Sequence, residues 1–359
     1  MSSSRRTVLI VDDSALMRTV LRDEIGSLAD FEVVGTASDG RQALDAVRTL
    51  SPDIVTLDVE MPNMDGLETL ERLMRESPRP VVMLSGAETN GGVELTLRAL
   101  ELGAVDFVRK PGATGARSAA DIGPRLAAAL RAAAATNIRA VSRPSLQLVH
   151  TRPEQRAAEA GSARAVIAIA ASTGGPRALA EVVASLPGDL DAAVLIAQHM
   201  PRGFTAGLAR RLAQLTPLGV AEGRDRERIV AGRIYLAPGG RHMHVTAGAL
   251  GATIVLDDGP TVWGVRPAAD KLFVSVAREF GEACVGVVLT GMGRDGALGL
   301  SAIREAGGGA IVQDEATSAV YGMPREALET AGADRIVAPG EVGAAATQLL
   351  ARHRAMVRL

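Results

Sequence analysis

The chain has 359 residues, which exceeds the size at which a single hydrophobic core usually stops growing, so two domains are expected. Lysine and arginine number 39 against 41 aspartates and glutamates, and the formal charge of -2 gives no bias toward nucleic acid or anionic membranes as partners. Aromatic residues make up 2% of the chain, which leaves few stacking surfaces for sugars or bases.

The N-terminal segment and the cysteine content point to one compartment. The first residues, MSSSRRTVLI, pass from a polar tail into a strand-like segment without the apolar region of a signal peptide. No apolar stretch is long enough to span a bilayer. The single cysteine, Cys284, lies in an apolar run and cannot close an internal disulfide, which fits a reducing compartment. A cytoplasmic location without membrane insertion is therefore expected.

Short apolar runs rich in β-branched residues alternate with helix-period segments from Thr7 onward. This alternation is typical of βαβ units on a parallel sheet. The predicted strands are TVLIVDD (7–13), FEVVGTA (31–37), DIVTLD (53–58), PVVMLS (80–85) and AVDFVRK (104–110). They predict a flavodoxin-like domain with a five-stranded parallel sheet over residues 1–125.

The alternation stops after this domain and restarts near residue 164. Residues 126–163 are alanine-rich, contain scattered arginines and two prolines, and predict an alanine-rich helix followed by a mobile linker. The strands predicted beyond it are AVIAIA (165–170), AAVLIAQ (192–198), TIVLDD (253–258), CVGVVL (284–289) and AIVQD (310–314). Residues 164–359 therefore predict a second doubly wound α/β domain with a mainly parallel sheet.

Polar residues at the strand ends of the first domain combine carboxylates with a hydroxyl and an ammonium. Because the ends of adjacent parallel strands converge at one edge, Asp12, Asp13 and Asp58 are expected to lie close together. Such a cluster suits magnesium, and Asp58 can then act as the nucleophile that forms an acyl phosphate. Lys110 would balance the phosphoryl charge, and Ser85 could donate to a phosphoryl oxygen. Taken singly, these residues are also common turn and helix-cap formers.

Longer motifs around these residues resemble the response-regulator receiver family over roughly residues 6–125. The matching segments are VDDSALMR, TLDVEMPNMDGLE, MLSG and VRKP. The resemblance implies that Asp58 is phosphorylated and that Ser85 and Phe107, together with Lys110, relay the signal as an order change at that face of the sheet. The residues implied to hold magnesium are Asp12, Asp13, Asp58 and, through its backbone carbonyl, Glu60.

Three strand ends of the second domain carry the side chains of a nucleophilic triad. The first strand ends in AASTGGP, where Ser172 lies on a glycine-rich turn near the positive N-terminus of a helix. His199 follows AVLIAQ, and Asp295 follows CVGVVL. A serine, its base and a carboxylate that orients the base form a triad that is recognised by roles and not by chain order. The G-x-S-x-G elbow of α/β-hydrolases is absent.

Other interpretations of these segments stay open at this point. The three residues could instead be a strand terminator, a structural histidine and a helix cap. The loop GMGRDG (291–296), with Asp314 about twenty residues on, matches the dinucleotide fingerprint, although Asp295 would then face the pyrophosphate. The segment HMH (242–244) places two imidazoles on one face of a strand, without an evident third metal ligand.

The second domain resembles the chemotaxis methylesterase (CheB) family over roughly residues 164–355. The matching segments are IAASTGGPRAL, QHMPRGFTAGLARRL, YLAPGGRHM, RPAADKLF, LTGMGRDGALGL and VQDEATSAVYGMP. The resemblance implies that Ser172 attacks the γ-glutamyl methyl ester of a chemoreceptor, and that His199, oriented by Asp295, takes its proton and later activates water. The backbone amide of Met292 would help to hold the oxyanion.

The resemblance implies a phosphorylation-activated protein-glutamate methylesterase with a glutaminase activity through the same acyl-enzyme. Its expected partners are methylated cytoplasmic domains of chemoreceptors and a chemotaxis histidine kinase. Magnesium is the expected cofactor for receiver phosphorylation, and none is expected for the esterase. A monomer is expected, in which the unphosphorylated receiver blocks the esterase face. The alternatives are a phosphorylation-dependent adaptor without catalysis and an esterase that acts on a protein other than a receptor.

Overall fold

The computed structural model describes residues 5–86, 90–110, 122–141 and 161–356. The chain divides into two compact units, residues 1–145 and 146–359. Each unit is built from βα repeats around its own sheet, so the α/β class expected for both is confirmed. No described helix is long and apolar enough to cross a lipid bilayer.

The first unit contains five strands and six helices in its described part. The strands are β1 (Arg6–Val11), β2 (Phe31–Ala37), β3 (Ile54–Asp58), β4 (Val81–Ser85) and β5 (Asp106–Arg109). The helices are α1 (Ala15–Gly26), α2 (Gly40–Leu50), α3 (Gly66–Glu76), α4 (Asn90–Glu101), α5 (Gly123–Ala134) and the short α6 (Ile138–Val141). All five predicted strands are present, each within two residues of its predicted bounds.

The sheet of this unit is parallel and has the strand order β2-β1-β3-β4-β5, which is the flavodoxin-like order. Side-chain carboxylates and hydroxyls fix where its helices start. Ser14, Asp39 and Asp65 each accept a hydrogen bond from the backbone N–H three residues on and so cap α1, α2 and α3. Helices α1 and α2 begin four and three residues after the ends of β1 and β2, and α3 begins eight residues after the end of β3, so short loops carry the polar residues at this edge of the sheet.

Helix α5 is the alanine-rich helix expected after the first domain. Its Leu126, Ala129, Leu130 and Ala133 are buried in the core of the first unit. The helix crosses residue 125, where the sequence places the end of the receiver, and that boundary stays a prediction. Much of the predicted linker, residues 142–160, lies outside the described residues.

The second unit adds nine strands and six helices in its described part. The strands are β6 (Val166–Ala171), β7 (Ala193–Gln198), β8 (Gly219–Glu222), β9 (Arg233–Leu236), β10 (His242–Thr246), β11 (Thr253–Asp257), β12 (Cys284–Val288), β13 (Gly309–Gln313) and β14 (Arg335–Val337). The helices are α7 (Gly175–Ser185), α8 (Phe204–Leu212), α9 (Ala269–Phe280), α10 (Ala297–Glu305), α11 (Gly322–Ala331) and α12 (Val342–Met356). Two short 3-10 turns, Gly281–Ala283 and Pro339–Glu341, complete it.

Seven of these strands form one parallel sheet in the order β14-β13-β12-β6-β7-β9-β8. Every residue of β6, β7 and β12 is buried, as expected for central parallel strands covered on both faces. The strand predicted for TIVLDD is β11, which pairs with β10 in a separate antiparallel hairpin. The carboxyl ends of β6, β7 and β12 are neighbours, and this is the edge that carries the candidate site.

Cys284, the only cysteine of the chain, begins β12 and is fully buried. Burial raises the pKa of its thiol to about 12. The thiolate is the reactive form of cysteine, so this thiol is inert at neutral pH and serves as a small apolar core residue.

Candidate active site and receiver site

Ser172 and His199 follow the neighbouring strands β6 and β7 at the carboxyl edge of the second sheet. The backbone N–H of His199 donates to the carbonyl of Ala171 at 3.0 Å. The backbone N–H of Ser172 donates to the carbonyl of Thr290, in the loop after β12, also at 3.0 Å. Asp295 lies five residues further along that loop. The three predicted triad residues are thus brought to one edge of the sheet.

A tight turn holds Ser172 at the start of α7. Gly174 has a φ of 75°, in the left-handed region, and a Cβ there would lie 2.5 Å from the Cβ of Ala319. The N–H of Gly175 donates to the Ser172 carbonyl at 2.8 Å, and Pro176 follows in the first turn of the helix. The serine therefore sits beside the positive end of the α7 dipole, which favours negative charge developing nearby.

The imidazole of His199 is paired with the carboxylate of Asp295. The His199 Nε2 and Asp295 Oδ2 atoms lie 2.7 Å apart, and the two side chains expose only 10% and 3% of their surfaces. A carboxylate accepts, so Nε2 carries the proton and Nδ1 of the neutral ring is left with a lone pair. If His199 is the base, as predicted, the nitrogen that can take a proton is therefore Nδ1.

Helix α9 supports the same carboxylate from the other side. Asp295 Oδ2 also accepts from the backbone N–H of Ala269 at 2.6 Å, and Oδ1 accepts from that of Asp270 at 3.0 Å. These donors belong to the first turn of α9, where backbone N–H groups lack helical partners. The carboxylate is held by three hydrogen bonds, which fixes the orientation of His199.

Gln198, the last residue of β7, links the backbones of Ser172 and His199. Its buried Nε2 donates to the carbonyl of Ser172 at 2.9 Å and to that of His199 at 3.1 Å. The sequence analysis did not identify this residue. A glutamine at a strand end has no distinguishing pattern, because its role depends on two carbonyls that the fold brings together.

The Ser172 hydroxyl makes no hydrogen bond to His199 in the part of the chain that the structure describes. The backbones of Ser172 and His199 therefore lie side by side at the ends of neighbouring strands, while their side chains are not hydrogen-bonded to each other. Catalytic hydrogen bonds are often long in structures without substrate and tighten only when it binds.

The loop of Gly291 and Met292 packs directly on Ser172. A Cβ built at Gly291 would lie 2.7 Å from the Cβ of Ser172 and 2.3 Å from the Sδ of Met323. The carbonyl of Gly291 accepts from the N–H groups of Gly322 at 3.1 Å and Met323 at 2.8 Å, so this loop is fixed. Met292 is the next residue, with a half-exposed side chain. The role of its amide in holding an oxyanion stays a prediction.

Replacing Gly291 by alanine is expected to destabilise the second unit by about 1–3 kcal/mol, because the added methyl group overlaps Ser172 and Met323. Esterase activity is expected to fall about 10- to 100-fold as the serine turn shifts. Urea unfolding and ester hydrolysis measure the two effects. Gly340→Ala is the control, since nothing lies within 4 Å of a Cβ there. Wild-type stability and activity in Gly291→Ala would contradict this packing.

The strand ends of the first unit form an acidic pocket closed by one ammonium. One carboxylate oxygen from each of Asp12, Asp13 and Asp58 lies within 4.8 Å of the others. Lys110 Nζ is 2.6 Å from Asp58 Oδ2 and 2.7 Å from Asp12 Oδ2. The cluster predicted from the strand ends is therefore present, and Lys110 contacts the predicted phosphoryl acceptor directly.

These carboxylates suit a magnesium ion. Asp12 Oδ2 is buried and has no hydrogen-bond partner among the described residues, and the Lys110 ammonium 2.7 Å away balances its charge. A hard divalent cation prefers such carboxylate oxygens. Asp13 is exposed, and Glu60 lies exposed on the loop two residues after Asp58. The ligand roles predicted for these residues, including the backbone carbonyl of Glu60, stay predictions.

The pKa of Asp58 is raised to about 6, because burial penalises the charged carboxylate more than Lys110 stabilises it. Because the folded protein favours the protonated Asp58 carboxyl, the contribution of this group to stability is fully present below its unfolded pKa of 3.8. That contribution is lost as pH rises through the folded pKa of about 6. Asp58→Asn is therefore expected to stabilise the magnesium-free receiver unit by about 1–3 kcal/mol at pH 7.5. This gain should shrink toward pH 4 in urea titrations. A gain that persists at pH 4 would contradict the assignment to Asp58 ionisation.

The predicted switch residues lie on the two strands beyond Asp58. Ser85 ends β4 and is buried, and the Oγ1 of Thr96 on α4 donates to its Oγ at 2.9 Å. Phe107 is buried on β5, opposite Met83 of β4. Ser85 therefore links the strand end to α4. The roles of Ser85, Phe107 and Lys110 in relaying a signal stay predictions.

The competing interpretations of the second unit lose their support. His242 is buried, with Nε2 2.9 Å from the carbonyl of Pro260 and Nδ1 accepting from the N–H of Ala268 at 3.1 Å. Both of its nitrogens are used structurally, and the only metal-binding cluster among the described residues is the one in the first unit. In the 291–296 loop the Asp295 carboxylate is directed at His199 and α9, not at a nucleotide phosphate.

The two units define a class of protein. The first has the sheet order and acidic edge of a phosphoacceptor receiver, and the second brings together a serine, a histidine and an aspartate, the side chains that a serine hydrolase uses. Family models agree with both assignments. A model described as CheB methylesterase matches residues 167–346, and one described as a response regulator receiver domain matches residues 8–117. The chain belongs to the CheB methylesterase family.

Individual relatives extend the likeness over nearly the whole chain. A protein-glutamate methylesterase/protein-glutamine glutaminase from Escherichia coli K12 is 45% identical and covers 97% of each chain. One with the same name from Symbiobacterium thermophilum is 47% identical, over 92% of this chain and 93% of its own. The crystal structure of the Thermotoga maritima CheB methylesterase catalytic domain aligns with a TM-score of 0.50 and 34% identity, covering 52% of this chain and 98% of that domain. The resemblance drawn from the sequence is confirmed.

Proposed function

We propose that this protein is a phosphorylation-activated protein-glutamate methylesterase and protein-glutamine glutaminase of chemotaxis adaptation. The observation that carries the proposal is the His199–Asp295 pair, at 2.7 Å, next to Ser172 on one sheet edge. The activity named for the relatives from Escherichia coli and Symbiobacterium thermophilum supports the substrate class. The proposed substrates are methylated cytoplasmic domains of chemoreceptors.

In the acylation step, Ser172 Oγ attacks the carbonyl carbon of a γ-glutamyl methyl ester. His199 Nδ1 takes the serine proton, and the Asp295 carboxylate stabilises the resulting imidazolium through Nε2. The backbone amide of Met292 and the N-terminus of α7 favour the oxyanion. Collapse of the tetrahedral species breaks the bond to the methoxy oxygen, which takes the proton from His199 and leaves as methanol.

In the deacylation step, His199 Nδ1 takes a proton from water, which attacks the acyl carbonyl. Collapse of the second tetrahedral species breaks the bond to Ser172 Oγ, which recovers the proton, and a glutamate is released. The same acyl-enzyme forms from a glutamine side chain when ammonia is the leaving group. Both activities therefore use the same three residues.

Phosphorylation in the first unit would control this activity. Asp58 accepts the phosphoryl group from a chemotaxis histidine kinase, and Lys110, already 2.6 Å from its carboxylate, pairs with the added charge. Magnesium held by Asp12, Asp13 and Asp58 would supply positive charge to the donor phosphate. We propose that the protein acts in the cytoplasm, where the kinase and the receptor domains would be found, and that it acts there as a monomer.

The proposed function is tested by methanol release from methylated receptor cytoplasmic fragments, with and without acetyl phosphate and Mg²⁺. Wild type is expected to release methanol, and to release it faster when the phosphodonor is present. Asp58→Asn is expected to release methanol at the unstimulated rate under both conditions. A wild-type rate of methanol release that is the same with and without the phosphodonor would contradict control by the receiver. No release under any condition would contradict the esterase assignment.

A further inference from the structure

Asp270 carries a buried carboxylate that the proposed mechanism does not use. Its Oδ1 accepts from the backbone N–H groups of Gly296 at 3.0 Å and Gly299 at 2.7 Å. Its Oδ2 accepts from the indole Nε1 of Trp263 at 2.8 Å. Gly296 immediately follows Asp295, and both glycine N–H groups belong to the start of α10, where helical acceptors are lacking. Asp270 therefore caps the helix that follows the catalytic loop.

Asp270 and Asp295 each accept hydrogen bonds from the start of the helix beside the other aspartate. Asp295, just before α10, accepts from the N–H groups of Ala269 and Asp270 at the start of α9. Asp270, in the first turn of α9, accepts from the N–H groups of Gly296 and Gly299 at the start of α10. Each helix start is thus bound by an aspartate of the other, and neither aspartate can shift without breaking hydrogen bonds at both.

Close packing leaves little freedom at this junction. A Cβ at Gly299 would lie 2.5 Å from the Cβ of Phe273 and 3.1 Å from the Cα of Asp270, so α10 contacts α9 backbone to backbone. Gly296 has a φ of 94°, in the left-handed region that only glycine adopts readily. A side chain at Gly299 would not fit between the two helices, and Gly296 needs a conformation that favours glycine, so this junction tolerates little change.

Burial raises the pKa of Asp270, and the neighbouring charge of Asp295 raises it further, while the bonded N–H groups oppose both effects. Two buried carboxylates side by side are unfavourable unless donors compensate them. The four backbone N–H groups and the Trp263 indole supply that compensation. Keeping such a pair next to the triad costs stability, which is typical of an arrangement retained for function.

We propose that Asp270 is a positioning residue of the esterase, which holds the 291–296 loop so that Asp295 stays aligned with His199. It acts through Asp295 and touches neither substrate nor the reacting atoms. Loss of its carboxylate releases the N–H groups of Gly296 and Gly299 and lets the loop move. Because alignment of the base governs the chemical step, the effect falls on kcat and leaves KM nearly unchanged. This inference rests on the proposed esterase function.

The test compares kcat and KM for methanol release by the full-length chain in wild type, Asp270→Ala, Asp270→Asn, Trp263→Phe and the double variant Asp270→Asn/Trp263→Phe. Asp270→Ala is expected to lower kcat about 10- to 100-fold, with KM within about threefold of wild type. Asp270→Asn turns an amide N–H toward the Trp263 indole N–H, so it is expected to lose activity too. The double variant removes that conflict and keeps the Oδ1 acceptor, so its kcat should return to within about threefold of Trp263→Phe.

Asp225→Ala is the matched control, because Asp225 also accepts a backbone N–H, that of Leu256 at 2.9 Å, at a partly exposed site away from the triad. Its kcat is expected to equal that of wild type. If Asp270→Ala does not fold, the kcat values of Asp270→Asn and of the double variant are compared instead, and recovery in the double variant supports the inference. Full kcat in Asp270→Ala, a change confined to KM, or no recovery in the double variant would each overturn the inference. An inactive wild type would instead overturn the proposed function.

Discussion

Replacing Ser172 by alanine is expected to lower methanol release at least about 10⁴-fold, because no other group can form the acyl-enzyme. The structure places this serine on the turn between β6 and α7, with its backbone held by Thr290 and Gln198. The substitution only removes the hydroxyl oxygen and keeps Cβ, so the fold and the His199–Asp295 pair should persist. Methanol release from methylated receptor fragments, with acetyl phosphate and Mg²⁺ present, measures the loss.

Ser301→Ala serves as the control for this experiment. Ser301 lies on the surface side of α10 and, within the described part of the chain, donates to Glu305 of the same helix, so its loss should leave activity unchanged. The same pair of variants separates an esterase from an adaptor that signals without catalysis, since an adaptor keeps its signalling output in Ser172→Ala. Residual methanol release above about 1% in Ser172→Ala would contradict the nucleophile assignment.

The second large effect is expected from Asp295→Asn, which should lower kcat about 10⁴-fold. The carboxylate accepts three hydrogen bonds, from His199 Nε2 and from the N–H groups of Ala269 and Asp270. An amide has one oxygen and one donor group, so it cannot satisfy all three. If the amide N–H faces His199, the imidazole is driven to the tautomer with a protonated Nδ1, which cannot take the serine proton.

Asp334→Asn is the matched control for that substitution. Asp334 accepts from the N–H of Ala310 at 2.8 Å at the opposite, amino-terminal edge of the same sheet. An amide oxygen can keep this bond, so activity and Tm should stay near wild type. A comparable loss of kcat in both variants would indicate a general effect of removing a carboxylate charge from this sheet, and would contradict a specific role for Asp295.

Much of the fold follows from local patterns in the sequence. The apolar runs of β1, β3, β6 and β12 are short, rich in valine and isoleucine, and buried on both faces, which is the pattern that marks parallel strands. β8, β9 and β14 were not predicted, since they have only four, four and three residues and stand at one end or the other of the sheet. Their positions depend on tertiary packing more than on local preference.

The pairing of β11 could not be predicted for a related reason. Its sequence TIVLD resembles a buried central strand, yet four of its five residues are only half-buried. It pairs with β10 outside the main sheet. An apolar run predicts a strand, but the partner strand is chosen by contacts that are distant along the chain.

The site was predictable to the extent that it lies at strand ends. Asp58, Ser172 and His199 each end or follow a parallel strand, and the rule that such ends converge places them correctly. Gln198 and Asp270 could not be found in this way. Their roles rest on hydrogen bonds to groups about 26 residues away, which no local pattern encodes.

The burial of Cys284 makes this chain suitable for spectroscopic labelling. Its only native thiol is buried at the start of β12 and has a pKa of about 12. Maleimide and methanethiosulfonate reagents are therefore expected not to react with it in the folded protein. Cysteines introduced at Asp45 and Arg226, whose side chains are 76% and 92% exposed, would carry a pair of spin labels or fluorophores without removal of the native residue. The distance between such labels can report on the two units during a phosphorylation cycle in otherwise wild-type protein.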